Sequence, residues 1–198
     1  MKLFFDTETT GLWIKGLPIG SPDQPKIVQI AAILTDDEGV EVMSCNLTVY
    51  QEHVPEKASA IHGKTTEFVQ AYGINEGTAL TVFEEMLAVA DTVVAHNGEY
   101  DQQVVLNSIR LIDGVNAGNP FDGKEAFCTM RASTGLCKIP SPRGGYKWPK
   151  LTEAYVHLFG EEFDGAHDAL ADVRACKDVY FALKKIMAEN RAARDAEG

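Results

Sequence analysis

Two carboxylates, Asp6 and Glu8, close a short apolar run, Leu3-Phe4-Phe5. Alternate residues of a strand share a face, so on a strand the two acids project together. At an effective dielectric near 20, two such charges about 5 Å apart repel by roughly 3 kcal/mol. A cation between them removes that cost, and Mg²⁺ or Mn²⁺ is the ordinary occupant of an all-oxygen site. The Asp-x-Glu spacing occurs three times, at Asp6/Glu8, Asp36/Glu38 and Asp195/Glu197. The second lies in a polar turn and the third in a polar tail, where both read as solvated charge. The first alone follows a run apolar enough to lie inside a sheet.

Two further segments carry acids beside histidine. In Thr92–Asp101 (TVVAHNGEYD) an apolar strand runs into a turn, and Asp101 falls in the first turn of the next helix. Favourable interaction with the helix dipole, about 0.3–1 kcal/mol, is itself sufficient reason for an acid there. In Gly165–Asp172 (GAHDALAD) His167 stands at a helix start and Asp172 in its second turn. Five helical residues turn through about 500°, so the two converge only if His167 belongs to the entering loop. A histidine with its ordinary pKa near 6.5 can take a proton from water near neutral pH.

The elements that have to position these groups alternate. Strand-like runs are Lys2–Phe5, Lys26–Leu34, Val40–Tyr50 and Thr92–Ala95. Helical periodicity covers Thr78–Ala90, Tyr100–Ile112, Leu151–Phe159 and Ala169 to about Met187. Such alternation predicts α/β layering around a mixed sheet. The Gly/Pro-rich stretches Gly16–Pro25 and Gly135–Pro149 read as long loops, which in a compact domain tend to be functional. Domain 1–190 is expected to be a single unit, followed by a frayed tail over 191–198.

In their order, the segments FFDTETTGL (Phe4–Leu12), HNGEYD (His96–Asp101) and HDALAD (His167–Asp172) resemble the three motifs of the DEDD exonucleases with a histidine, the DnaQ-like proofreading family. The resemblance spans residues 3 to about 185. The tyrosine branch of that superfamily needs Tyr at position 168, which is Asp here. The resemblance implies a ribonuclease H-like fold, a mixed five-stranded sheet flanked by helices. It also implies a 3′–5′ exonuclease releasing 5′-mononucleotides through two divalent cations, Mg²⁺ or Mn²⁺. By the same resemblance Asp6 bridges both ions, Glu8 and Asp172 hold the ion that binds the attacking water, Asp101 supports the second, and His167 is the general base. Thr7, Thr9, Thr10, Leu12, His62, Asn97 and Tyr100 are the implied substrate-binding residues, with Leu12 wedged against the terminal base and His62 and Tyr100 flanking the strand. The implied partners are a single-stranded nucleic acid 3′ end and a polymerase or other replication or repair protein.

The chain departs from the pattern at Ile61-His62-Gly63-Lys64-Thr65, where a lysine replaces an apolar residue, and in its long first-motif and 131–150 loops. These departures bear on which substrate is gripped. Single-stranded DNA is the expected substrate, because the first motif is nearest to the proofreading and repair members. The alternatives are an exoribonuclease acting on RNA ends or short oligoribonucleotides, and an inactive fold serving as a nucleic-acid-binding module. The last predicts a lost carboxylate or histidine, yet all five groups are present. A P-loop ending at Gly63-Lys64-Thr65 fails, because position 58 is Ala where its first glycine belongs. An HD-type phosphohydrolase built on His167-Asp168 lacks upstream histidine ligands on helices.

Composition bounds these readings. The chain has 198 residues, 45% apolar and 24% charged, enough for one domain whose core needs no disulfide or metal staple. Four cysteines lack any CxxC or zinc spacing, and three sit among apolar neighbours, which predicts buried, reduced packing residues. No apolar run approaches a membrane span and no secretory cleavage site follows Lys2, so a cytoplasmic protein with no membrane partner is expected. A net charge of −11 argues against gripping long duplex DNA by the whole surface. Residues 131–150, however, hold five bases (Arg131, Lys138, Arg143, Lys147 and Lys150) and no acid. One basic loop on an acidic body is compatible with a short polyanionic strand held at one place.

Overall fold

Strand β1 (Lys2–Thr9) is the centre from which the architecture is built. The computed structural model describes residues 1–197, with side chains through 196. β1 pairs antiparallel with β2 (Ile27–Thr35) and parallel with β4 (Thr92–Ala95). β3 (Glu41–Thr48) and β5 (Glu125–Cys128) form the two edges of a five-stranded mixed sheet of order β3-β2-β1-β4-β5. Every residue of β2 is buried. The outer strand β3 is largely exposed, and Lys177 pairs with its Glu41 at that edge. The helices are α1 (Glu56–His62), α2 (Thr66–Tyr72), α3 (Glu76–Ala88), α4 (Gly98–Asp113), α5 (Thr129–Cys137), α6 (Leu151–Phe159) and α7 (Ala169–Glu197).

Alternation along β1 divides the core in two. Leu3 and Phe5 face α3 and α4, packing with Phe83, Leu87, Val104 and Val105. Phe4 faces the other side, under Ala169, Val173, Cys176 and Tyr180 of α7. Those four residues recur at spacings of four, three and four, the period of one helical face. Asp6 and Glu8 share the Phe4 face, so the sheet aims both at the N-terminal turn of α7. Because β1 and β4 run parallel, the segments that follow them emerge at one edge of the sheet, where ligands of open α/β sheets bind.

The structure departs from the periodicity reading in several places. β5 is only four residues long, and α1, α2 and α5 lack a clear apolar period, so no local pattern marks them. α5 occupies the start of the stretch read as the Gly135–Pro149 loop. Within the expected frayed tail, residues 191–197 continue α7, exposed through 196, and position 198 lies outside the described residues. Of the cysteines, Cys176 alone is fully buried; Cys45, Cys128 and Cys137 are half-buried, and all four are free thiols. No helix among the described residues is long and apolar enough to cross a membrane.

Candidate active site

The α7 entry brings the third histidine-acid segment onto β1. His167 precedes the helix with φ of 70°, left-handed backbone that a non-glycine residue adopts at a cost of about 1–2 kcal/mol. Its backbone N–H donates to Asp172 Oδ2 at 3.2 Å, and Asp168 N–H donates to the Gly165 carbonyl at 3.0 Å. In this turn His167 is outside the helix, so the 500° separation does not apply. A side-chain ligand atom from each of Glu8, His167 and Asp172 lies within 4.8 Å of the others.

Asp168 holds the turn. One of its oxygens caps α7 by accepting from Leu170 N–H at 3.2 Å; the other accepts from Gln29 Nε2 at 3.1 Å and Lys64 Nζ at 3.2 Å. Gln29, paired with Glu8 across β1 and β2, also accepts from Ala169 N–H through its amide oxygen. Burial pushes the Asp168 carboxyl up, but Gln29 and Lys64 outweigh it and hold it below the usual range. Neither Gln29 nor Asp168 is visible as a site residue from sequence. Lys64 has a signal, the lysine that replaces an apolar residue after His62-Gly63.

Asp101 arrives from the other side. Asn97, left-handed at φ of 69°, turns the chain from β4 into α4, and Asn tolerates that conformation better than other side chains. Gly98 follows because a Cβ there would come within 2.9 Å of the Ala95 Cβ. Buried Asp101 then accepts from both Thr7 N–H, at 3.1 Å, and Thr7 Oγ1, at 2.7 Å. Burial lifts Asp101 to about 6 despite those bonds, and Asp172 likewise to about 6 against the His167 N–H. Burial also lifts Glu8 to about 8, with Asp172 adding to the rise and Lys64 opposing it. Asp6 is pushed well above the carboxylate range by burial, and then by Asp101, Asp172 and Glu8. Four carboxylates lifted by burial and by neighbouring acids in this way are a donor set short of positive charge. Oxygen ligands in that number suit hard divalent cations, so the residues fit Mg²⁺ or Mn²⁺.

Glu8 and His167 open onto a cleft of about 900 Å³. Thr7, Thr9, Thr10, Leu12, His62, Asn97 and Tyr100 all line it. Several of their polar groups are already engaged. The Thr7 hydroxyl serves Asp101, and Thr10 Oγ1 accepts from Lys26 N–H at 2.9 Å. Thr9 Oγ1 and the Tyr100 hydroxyl meet at 2.6 Å and both reach the Gly11 carbonyl, fixing the loop beyond β1. Burial pushes the Tyr100 hydroxyl up to about 12, so it remains a donor. Leu12, at the end of that loop, is 86% exposed: it projects into solvent instead of packing in the core. His62 is buried, its Nδ1 accepts from Lys64 N–H, and Nε2 has no hydrogen-bond partner among the described residues. Lys57, Ile61 and Lys150 complete the wall, residues the motifs do not mark.

The carboxylate group on a five-stranded mixed sheet, together with the family match over residues 3–180, defines a DEDD-type nuclease of the ribonuclease H-like superfamily. The sequence model of the exonuclease family (RNase T) matches residues 3–180, and the chain belongs to that family. It is similar to an uncharacterized exonuclease, CP81, of Escherichia phage 186, at 31% identity over 189 residues covering 93% of this chain and 88% of the relative. Its fold resembles apo exonuclease I, with TM-score 0.70 and 20% identity over 93% of this chain and 42% of the other. It also resembles E. coli exonuclease I in complex with a dA16 oligonucleotide, with TM-score 0.72 and 20% identity over 93% and 40%. The chain thus spans about two fifths of the exonuclease I chains.

Proposed function

We propose that this exonuclease removes 5′-mononucleotides stepwise from the 3′ end of single-stranded DNA. The observation that carries the reading is the convergence of Glu8, His167 and Asp172 from β1 and the α7 turn, beside Asp6 and Asp101, at one end of the cleft. Asp6, Glu8, Asp101 and Asp172 would hold two divalent cations. Bound there, the ions would acidify the attacking water and offset charge on the leaving oxygen.

The chain's own groups do the rest. His167, exposed beside Glu8 and Asp172, accepts the proton of a water molecule as its oxygen bonds to the terminal phosphorus. The bond from phosphorus to the preceding 3′ oxygen breaks, and that oxygen leaves on the shortened strand and takes a proton from solvent. His167 returns its proton to solvent before the next turn. The left-handed turn, held through Asp168 by Gln29 and Lys64, keeps the imidazole oriented. Leu12 lies against the terminal base, with the loop beneath it held by Thr9 and Tyr100. DNA as the polymer is supported by the fold's likeness to an exonuclease I structure that holds dA16.

The test uses 5′-labelled single-stranded DNA and RNA of matched sequence with Mg²⁺ or Mn²⁺, alongside Asp6→Ala. A ladder shortening from the 3′ end, faster on DNA and absent in the variant, is expected. Shortening from the 5′ end, or faster cleavage of RNA, overturns the reading.

A further inference from the structure

Segment 131–150 carries structure that the cleavage reaction does not use. Past α5 the chain folds into a short hairpin: Pro140 bridges Tyr146, Lys147 N–H donates to the Ile139 carbonyl, and Ser141 N–H donates to the Gly145 carbonyl. Its tip is Ser141-Pro142-Arg143-Gly144. Its base is braced. His96, at the end of β4, reaches the Pro149 carbonyl through Nε2 at 3.0 Å and Thr129 Oγ1 through Nδ1 at 2.9 Å. Lys147 pairs with Glu153 at 2.6 Å.

On this braced base two large aromatic side chains stay in solvent, Trp148 at 61% and Tyr146 at 50% exposure. Arg131 stands 6.0 Å from the Trp148 ring centroid while pairing with Glu99. Among the described residues Lys138, Arg143 and Lys150 form no salt bridge. The segment is also continuous with the cleft. Lys150 and Asn97 line the cleft, and Asn97 and Arg131 line a second cavity of about 310 Å³ beside the ends of β4 and β5.

We propose that this segment is a second binding surface for single-stranded nucleic acid. The strand behind the terminal nucleotide leaves the cleft at Asn97 and Lys150, stacks an unpaired base on Trp148, and lays its phosphates against Lys138 and Arg143. Unpartnered cations on a chain of net charge −11 suit a polyanion, and an exposed indole beside them suits a base with a free face. A duplex offers no such face along its length. The proposal rests on the nuclease reading above, and its consequence is a dependence on substrate length.

The test compares a thymidine dinucleotide with a 20-nucleotide thymidine strand, using the full chain and the variants Trp148→Ala and Lys138→Ala/Arg143→Ala. Loss of one stacked base corresponds to roughly a 5- to 150-fold change. Trp148→Ala is therefore expected to raise KM for the 20-mer by about that factor, with kcat and dinucleotide hydrolysis unchanged and Trp148→Phe largely restoring it. The double variant should flatten the salt dependence of strand binding by about 1.4 in log–log slope, because each single-strand phosphate contact contributes about 0.7. An equal loss on both substrates assigns Trp148 to bracing the loop and overturns the proposal, as does an unchanged KM for the 20-mer. If the chain hydrolyses neither substrate, the nuclease reading fails by itself. Strand binding then decides the surface: quenching of indole fluorescence by the 20-mer, absent in Trp148→Ala and absent with blunt duplex, upholds it. No quenching, or equal quenching by duplex, refutes it.

Discussion

Replacing Asp6 by asparagine is expected to stabilise the chain when divalent ions are chelated and to lose most of that advantage over the unmodified chain when they are supplied. Asp6 has burial and four neighbouring carboxylates against its charged form, and burial and neighbours lift Glu8 to about 8 and Asp101 and Asp172 to about 6. These groups bind more protons folded than unfolded. Their contribution is therefore fully present below the unfolded carboxylate range, near pH 4, and is lost as pH rises through about 6 to 8. At pH 8 with EDTA, removing one charge from the group relieves about 2–4 kcal/mol, the size of one close pair at an effective dielectric near 20. For a chain of this length that is a melting temperature about 5–12 °C higher than the parent's. At pH 5, below the values to which Glu8, Asp101 and Asp172 are lifted, those neighbours are largely neutral and the difference should shrink. With Mg²⁺ or Mn²⁺ at a hundred times its dissociation constant, the parent gains about 2.7 kcal/mol, which the variant largely forgoes. Thermal melts by circular dichroism at pH 5 and pH 8, with EDTA and with metal, read all four cases. A variant that melts lower than the parent in EDTA at both pH values would refute the claim that these acids form one charge-deficient cluster.

Other consequences are as direct. His167→Asn, which keeps a residue tolerant of the left-handed turn, should lower turnover at least 10²-fold while the metal-induced rise in melting temperature persists; steady-state kinetics with parallel melts check both halves. Lys64→Met leaves Asp168 without its cation and should cost about 1 kcal/mol, or 2–4 °C in melting temperature. A double-mutant cycle with Asp168→Asn should return a coupling of about 0.5–1 kcal/mol, and strict additivity would show that the pair does not interact. Tyr100→Phe removes one of the two hydroxyls on the Gly11 carbonyl and loosens the loop bearing Leu12, so KM for a single strand should rise several-fold with a stability loss of about 0.5–1.5 kcal/mol. Unchanged KM would remove that loop from substrate binding.

What could be read from the chain alone follows from local periodicity. The apolar run before Asp6 and the period-two geometry of a strand put Asp6 and Glu8 on one face. The spacing of Ala169, Val173, Cys176 and Tyr180 marks the face of α7 that covers Phe4. Three acid-bearing motifs in order were enough to expect the fold and its family. β5 and α1, α2 and α5 escaped because too few apolar residues recur in them to mark either period, whereas β4 and α6, no longer than these, carry apolar runs that do. Contacts across the fold escaped for a different reason. Thr7 and Asp101 are 94 residues apart, Gln29 and Asp168 are 139 apart, and no local window relates them. Likewise, the segment Gly16–Pro25 reads as a loop, but its shape comes from buried Gln24, whose amide bonds Ile14 and Leu17, and from Asn107 of α4, which accepts from Gly20 N–H. Whether His167 meets Asp172 depended on a single φ, and that φ is maintained by side chains from β2 and the α1–α2 connection. Residue types and periods therefore determined which chemistry was available, whereas the distances that make it one site were decided by packing between elements remote in the chain.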